Sequence, residues 1–238
     1  MNRLLGAACA LPPALAFAAA FALSSPLPAQ EAEAEATPAA PASTFGQPDP
    51  SLVTGGHYKA DPHHTLVEWS VDHLGFTPYF GLFSDISGTL DLDPKRPEQA
   101  RIAMTIPVTS ITVASADLKA HLMKPPASEG GKPDFFGPKP EDARFVSTLV
   151  RITGDQQAEM TGNLTLNGIT KPVTLQVLFH GAGTVPPQMG GGEGLGFDAT
   201  GTLKRSDFGL DFGIPMVSDQ VELKIAAAFM KDAAKAAP

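Results

Sequence analysis

From about residue 56 to residue 229 apolar and polar residues alternate with period two, segment after segment. That pattern restricts the chain to β-strands with one dry face and one wet face. Val67, Trp69 and Val71 share a face opposite Glu68, Ser70 and Asp72. Ile86, Gly88, Leu90 and Leu92 share the next, followed by Ile102, Met104, Ile106 and Val108. Val146, Val150 and Ile152 form a fourth set, in a segment that reads in either phase because Phe145 and Leu149 compete. Met160, Gly162, Leu164 and Leu166 lead through Asn167-Gly168 to Val173, Leu175, Val177 and Phe179. Phe197, Ala199, Gly201 and Leu203 precede the closing set Val221, Leu223, Ile225, Ala227 and Phe229.

Eight strands with one apolar face predict an all-β protein built as an eight-stranded antiparallel β-barrel, because closure removes the exposed edges of an open sheet. A two-sheet sandwich is the structural alternative. The faces opposite the apolar sets carry Glu, Asp, Thr, Asn and Lys, whereas a transmembrane barrel needs a greasy exterior. One long interruption, Thr109 to Arg144, separates the third and fourth predicted strands. Ser115 followed by Leu118 and Leu122 predicts one short capped helix there. The rest is a long Pro- and Gly-rich loop holding Phe135 and Phe136, read either as a plug for one barrel end or as a lid over a cavity.

Both ends lie outside this domain, which is expected to span residues 56–230. Residues 1–29 contain Arg3, a long apolar run and a small-residue site near Ala29, and read as a secretory signal peptide, so the chain is expected in the periplasm. The only cysteine, Cys9, lies within that segment. Residues 30–55 read as a disordered Ala/Glu/Pro-rich linker and 231–238 as a flexible tail. The net charge is −8, and removing Arg3 leaves 17 − 1 = 16 basic against 25 acidic groups, or −9. Such a balance argues against nucleic-acid binding.

A barrel of eight strands either fills its interior with side chains or leaves room for one ligand. Inward Gly88, Gly162, Gly201, Ala199 and Ala227 would open a long apolar void suited to a chain-like lipid, unless each sits beneath a bulky neighbour. A two-residue type I′ turn at Asn167-Gly168 pairs Leu166 with Ile169, Leu164 with Lys171, Gly162 with Val173 and Met160 with Leu175. Lys171 then faces inward near the rim, either snorkelling into water or meeting a polar head group. Asp207 beside Arg205 reads as one half of a structural ion pair. The histidines at Asp61 to His64 and at His73 match no familiar zinc spacing, and no nucleophile elbow or phosphate loop is present. No metal and no cofactor are expected.

The stretch "DPHHTLVEWSVDH", with "GLF" at Gly81 to Phe83, "ADLKAHL" ending at Leu122, the "FF" pair, "GNLTLNGITKPVTL" and "RSDFGL" from Arg205, resembles in its order the YceI-like polyisoprenoid-binding proteins. The resemblance covers residues 57–229. It implies a lipocalin-like barrel holding an isoprenoid lipid or quinone-type molecule, for binding or carriage and not catalysis. Departures fall in the lid: Ala116 precedes Asp117, and "KPEDARF" lacks the family's tyrosine. The expected lumen residues are Trp69, Val71, Phe83, Ile86, Leu90, Met104, Ile106, Leu122, Phe135, Phe136, Gly162, Leu164, Val173, Leu175, Val177, Phe197, Leu203 and Phe208. His73, His121, Lys171 and Arg205 are the head-group candidates. The expected partners are an amphiphilic lipid and, transiently, a membrane or a lipid-handling protein, with a dimer left open. Two other readings stand beside this one: a lipid isomerase or hydrolase using His73 or His121 as base, and a filled barrel that serves a protein partner.

Overall fold

The computed structural model describes residues 45–231. Its elements in chain order are β1 (Gly46–Gln47), β2 (Gly56–Ala60), β3 (Leu66–His73), β4 (Thr77–Phe83), β5 (Ser87–Leu92), β6 (Arg101–Ile106), α1 (Ala116–Leu122), β7 (Ala143–Gly154), β8 (Gln157–Leu166), β9 (Ile169–Thr184), β10 (Glu193–Lys204) and β11 (Gln220–Lys231). The expected signal peptide, residues 30–44 of the linker and residues 232–238 of the tail lie outside the described residues. Residues 45–55, expected in the linker, pack on the barrel: β1 pairs with Ala182 and Gly183 of β9, and Val53 is buried. Lys231, placed in the tail, is the last residue of β11.

The sheet closes. Antiparallel neighbours run β11, β10, β9, β8, β7, β6, β5 and β2, and β2 returns to β11. β11 pairs with β2 through Phe229 to Lys231 and with β3 through Glu222 to Ala226, so β2 and β3 are two halves of one bent stave. β4 pairs with β3, and β5 with β2, which makes a second bent stave. The barrel therefore has eight staves. At the first bend the fully buried Thr65 hydroxyl donates to Ala228 O and accepts from Ala228 N–H, restoring the ladder bonds that the kink removes.

The ambiguous phase of β7 has a structural cause. Its register against β8 slips between Ser147 and Leu149, so Phe145 and Val150 both point inward although they are an odd number apart. Val146 and Leu149 are left exposed. A bulge adds one residue to one strand and inverts the facing of everything after it. The β8–β9 hairpin has the register expected from its turn, with Leu164 opposite Lys171 and Gly162 opposite Val173.

The end of the barrel near β1 is tied by Glu193. Its carboxylate accepts from the Thr54 backbone at 3.0 Å, from the Thr54 hydroxyl and from the fully buried Tyr58 hydroxyl at 2.8 Å, with Lys231 Nζ at 3.5 Å. Burial pushes the Glu193 carboxyl up, but the bonds from Thr54 and Tyr58 and the Lys231 charge outweigh it and hold the group below its ordinary 4.5. A folded-state value below the unfolded one means stability that is present above about pH 4.5 and lost as pH falls through the lowered value. Glu193→Gln is expected to flatten this acid limb in urea titrations from neutral pH downward. An unchanged acid limb would refute the assignment.

Candidate ligand-binding cavity

The inward faces of the staves enclose a cavity of about 980 Å³. Twelve-residue strands at about 3.4 Å per residue, tilted by roughly 40°, set its length near 30 Å. Its wall is mainly aliphatic and aromatic, with Asp155, Gln156 and Gln157 at the β7–β8 turn at one end and Ser115, His73 and His121 at the other. Trp69, Val71, Phe83, Ile86, Leu90, Met104, Ile106, Leu164, Val173, Leu175, Val177, Phe197 and Leu203 all line it, as do Leu122, Phe135 and Phe136 from the lid segment. The barrel is not filled, which removes that reading of the interior.

The space does not come from the glycines. A Cβ on Gly162 would lie 2.3 Å from the Phe145 ring, one on Gly201 would lie 2.7 Å from Leu175, and one on Gly88 would lie 2.5 Å from Met104 Sδ. Each inward glycine is roofed by a neighbour, and Gly162 is not part of the lining. Its role is to let Phe145 lie flat on the sheet. Ala199 and Ala227, by contrast, are among the lining residues. Gly162→Val is therefore expected to cost ~1–3 kcal/mol by overpacking, visible as a lowered melting temperature; an unchanged one would show that Phe145 moves aside freely.

Three other candidates take different places. Phe208 is fully buried in the core cluster with Phe145, Val173 and Leu175 and closes the wall without facing the open space. Lys171, although opposite Leu164, is exposed beside a shallow surface depression with Lys204 and Asp207, because its long stem carries the ammonium past the rim into water. Arg205 touches the cavity wall, but its guanidinium is used up: Nε donates to Ser218 O at 2.8 Å, Nη1 to Leu210 O at 2.7 Å and Phe212 O at 2.8 Å, and Nη2 to Val217 O at 2.8 Å. Burial pushes this guanidinium down from its ordinary value, against the charges of Asp219 and Asp211. It fastens the β10–β11 connection and is not a head-group ligand. The expected pair with Asp207 is replaced by these carbonyls, and Asp219 instead accepts from the Ser206 backbone and hydroxyl.

His73 and His121 do reach the cavity. α1 is capped by Ser115, whose Oγ accepts from Leu118 N–H at 3.2 Å, and it turns Leu118 and Leu122 onto the opening. His121 Nε2 lies 2.8 Å from Asp134 Oδ2, and its ring meets Phe135 at 5.3 Å and Phe212 at 5.2 Å, edge to face. Phe136 N–H donates to Leu122 O, and its ring meets Phe83 at 6.4 Å. The lid is thus a packed aromatic cover tied to helix, strand and loop. Lys119, another charge at this end, is turned back onto Ile111 O and Thr109 O. Trp69 Nε1 is the one buried side-chain polar atom without a partner among the described residues, on a ring whose edge covers Gly81. No group of three or more metal-ligating side chains converges among them either.

Some wall residues escaped the sequence reading. Tyr79 comes from β4, whose alternation of Thr77, Tyr79, Gly81 and Phe83 was legible but interrupted by Pro78. Phe212, Met216 and Val217 come from the β10–β11 connection, where no periodicity exists to find them.

A closed eight-stranded barrel with an apolar internal cavity and a helical lid is a lipocalin-like binding barrel. Residues 58–229 match the YceI-like domain family. The chain is 37% identical over 177 residues to a UPF0312 protein of Pseudomonas putida, covering 73% of this chain and 86% of that one. It is 36% identical over 184 residues to a UPF0312 protein of Pseudomonas paraeruginosa, covering 74% and 90%. Among solved structures, a YCEI protein of Campylobacter jejuni is 27% identical with a TM-score of 0.55, covering 68% of this chain and 90% of that one. BcnA of Burkholderia cenocepacia shares the fold at 24% identity and a TM-score of 0.55, covering 71% and 98%. The chain belongs to the YceI-like domain family.

Proposed function

We propose that this chain is a periplasmic carrier that holds a polyisoprenoid or quinone-like amphiphile in the barrel lumen. The observation that carries the reading is the continuous apolar tube of about 980 Å³, at the top of the size range of small-molecule sites. Each five-carbon unit transferred from water into such a wall gains roughly 3–4 kcal/mol at about 0.8 per CH₂. A membrane offers the same gain, so a carrier needs only to approach the membrane's affinity and to add a polar grip. His73 and His121, which stand at the lid end, are the polar side chains the wall offers for that grip, whereas the Trp69 N–H is buried within the wall. Family membership supports binding as the activity, and transient contact with a membrane or a lipid-handling protein is the corresponding loading step.

The test is native mass spectrometry of the protein purified without detergent, followed by uptake of a fluorescent isoprenoid. A bound mass released intact by organic solvent, together with saturable uptake, is the expected result. Absence of both would end the reading. Chemical conversion of the ligand during incubation would favour an enzyme instead.

A further inference from the structure

We propose that the lid end of the barrel seats directly on a lipid bilayer through an apolar collar made by the β3–β4 turn and the β10–β11 connection. This rests on the lumen carrying a lipid. The collar is a continuation of the cavity wall: Leu74, Phe212 and Met216 line the cavity, and each is 44–59% exposed at its lip. Phe76 stands at the tip of the turn, 82% exposed, and Phe80, 61% exposed, follows along β4 opposite Ser70. Residues 74–80, "LGFTPYF", and 212–217, "FGIPMV", contain no Asp, Glu, Lys or Arg in a chain whose net charge is −8.

The backbone holds these side chains outward at a steric cost. Phe76 N–H donates to His73 O across a turn whose central residues, Leu74 at φ 60° and Gly75 at φ 71°, are both left-handed. Asn, Asp or Gly is the ordinary occupant of the first position, and a branched side chain there is an outlier. Asp72 Oδ1 accepts from Gly75 N–H at 2.6 Å, and Leu74 N–H donates to Met216 O at 2.8 Å, so the two halves of the collar form one fixed surface. A strained leucine left half-exposed recovers only part of its apolar burial in the folded chain alone. It gains when the surface in front of it is apolar.

A fluid bilayer is the occupant that fits. The side chains project convexly from a turn tip, which suits insertion among acyl chains better than a shaped pocket. Contact there also lets a long chain pass from bilayer to tube without crossing water. Because the protein is acidic and the collar uncharged, seating depends on apolar area and not on attraction to anionic lipid.

The variants Phe76→Ser and Phe76→Ser/Phe80→Ser test this, because neither residue lines the cavity. The protein, purified after export, is mixed with phosphatidylcholine vesicles carrying a fluorescent isoprenoid, at low and high salt. Flotation with the vesicles and the transfer rate are expected to fall about ten-fold or more in the double variant. Affinity for the same probe delivered in solution stays unchanged, and salt has little effect on the wild type. Equal flotation and transfer by wild type and variant overturn the inference while leaving the lumen reading intact. Failure of the probe to bind even in solution ends the lumen reading and the inference with it. A Phe76-dependent dimer in sedimentation, with no vesicle association, assigns the collar to a second copy and overturns the bilayer.

Discussion

An Arg205→Met chain is expected to lose ~3–5 kcal/mol of folding stability, a large part of the roughly 5–15 that a single domain possesses. Four backbone carbonyls, of Leu210, Phe212, Val217 and Ser218, take their hydrogen bonds from this one buried guanidinium. Removal leaves them facing an apolar thioether, and buried acceptors without donors cost ~1–3 kcal/mol each, reduced where water enters. Arg205→Lys retains the charge but not the fork, and a compact ammonium cannot reach carbonyls on both sides of the loop. It is expected to recover less than half of the loss. Urea unfolding followed by tryptophan fluorescence reads both variants, since Trp69 is the only tryptophan. The carbonyl-bearing segment also carries Phe212, Met216 and Val217 to the mouth of the cavity, so ligand uptake is expected to weaken in denaturant concentrations where the barrel is still folded. A loss below about 1 kcal/mol would show that the connection holds itself.

Arg205 also shows where sequence reading ends. The barrel was legible because period two is a local property, and each of the eight predicted apolar phases corresponds to a stave whose inward residues line the cavity or roof it. Where the pattern was equivocal, at Phe145 to Ile152, the chain itself is equivocal: the bulge at Ser147/Leu149 makes each phase right for half of the strand. The half-stave β2 was missed because it has only five residues, and β4, seven residues long, because Pro78 interrupts its alternation. What could not be read were relations across the fold. Gly162 looked like room for a ligand, and only the diagonal neighbour Phe145 shows that the room is occupied. Lys171 and Arg205 both read as cations near a mouth. One escapes into solvent along its own stem, and the other is spent on carbonyls up to thirteen residues away. Burial and partner, the properties that separate a head-group ligand from a structural clamp, are not periodic and leave no mark on the local sequence.

Filling the lumen where the structure leaves it open is expected to abolish binding without unfolding the barrel. Ala199 on β10 and Ala227 on β11 both line the cavity; Ala199 pairs with Ile225, and Ala227 with Phe197, so the two sit at adjacent levels of the same wall. Phenylalanine at both positions places two rings on lining positions of the lumen, unlike Gly162, which is not part of the lining and where an added Cβ meets Phe145 at once. Overpacking a filled core costs ~1–3 kcal/mol, whereas rings entering a void gain contacts that offset part of this. The Ala199→Phe/Ala227→Phe chain is therefore expected to melt within a few degrees of the wild type. Its affinity for a fluorescent isoprenoid is expected to drop at least ten-fold, about 1.4 kcal/mol, with a greater loss for longer chains that must pass the constriction. A shorter amphiphile reaching only the lid end is expected to keep most of its affinity, since Trp69, His121 and the aromatic cover are untouched. If long and short ligands weaken equally, the constriction acts on the lid and not on the tube, and the ligand does not thread the barrel. If neither weakens, the apolar tube is not the binding site, whatever its volume.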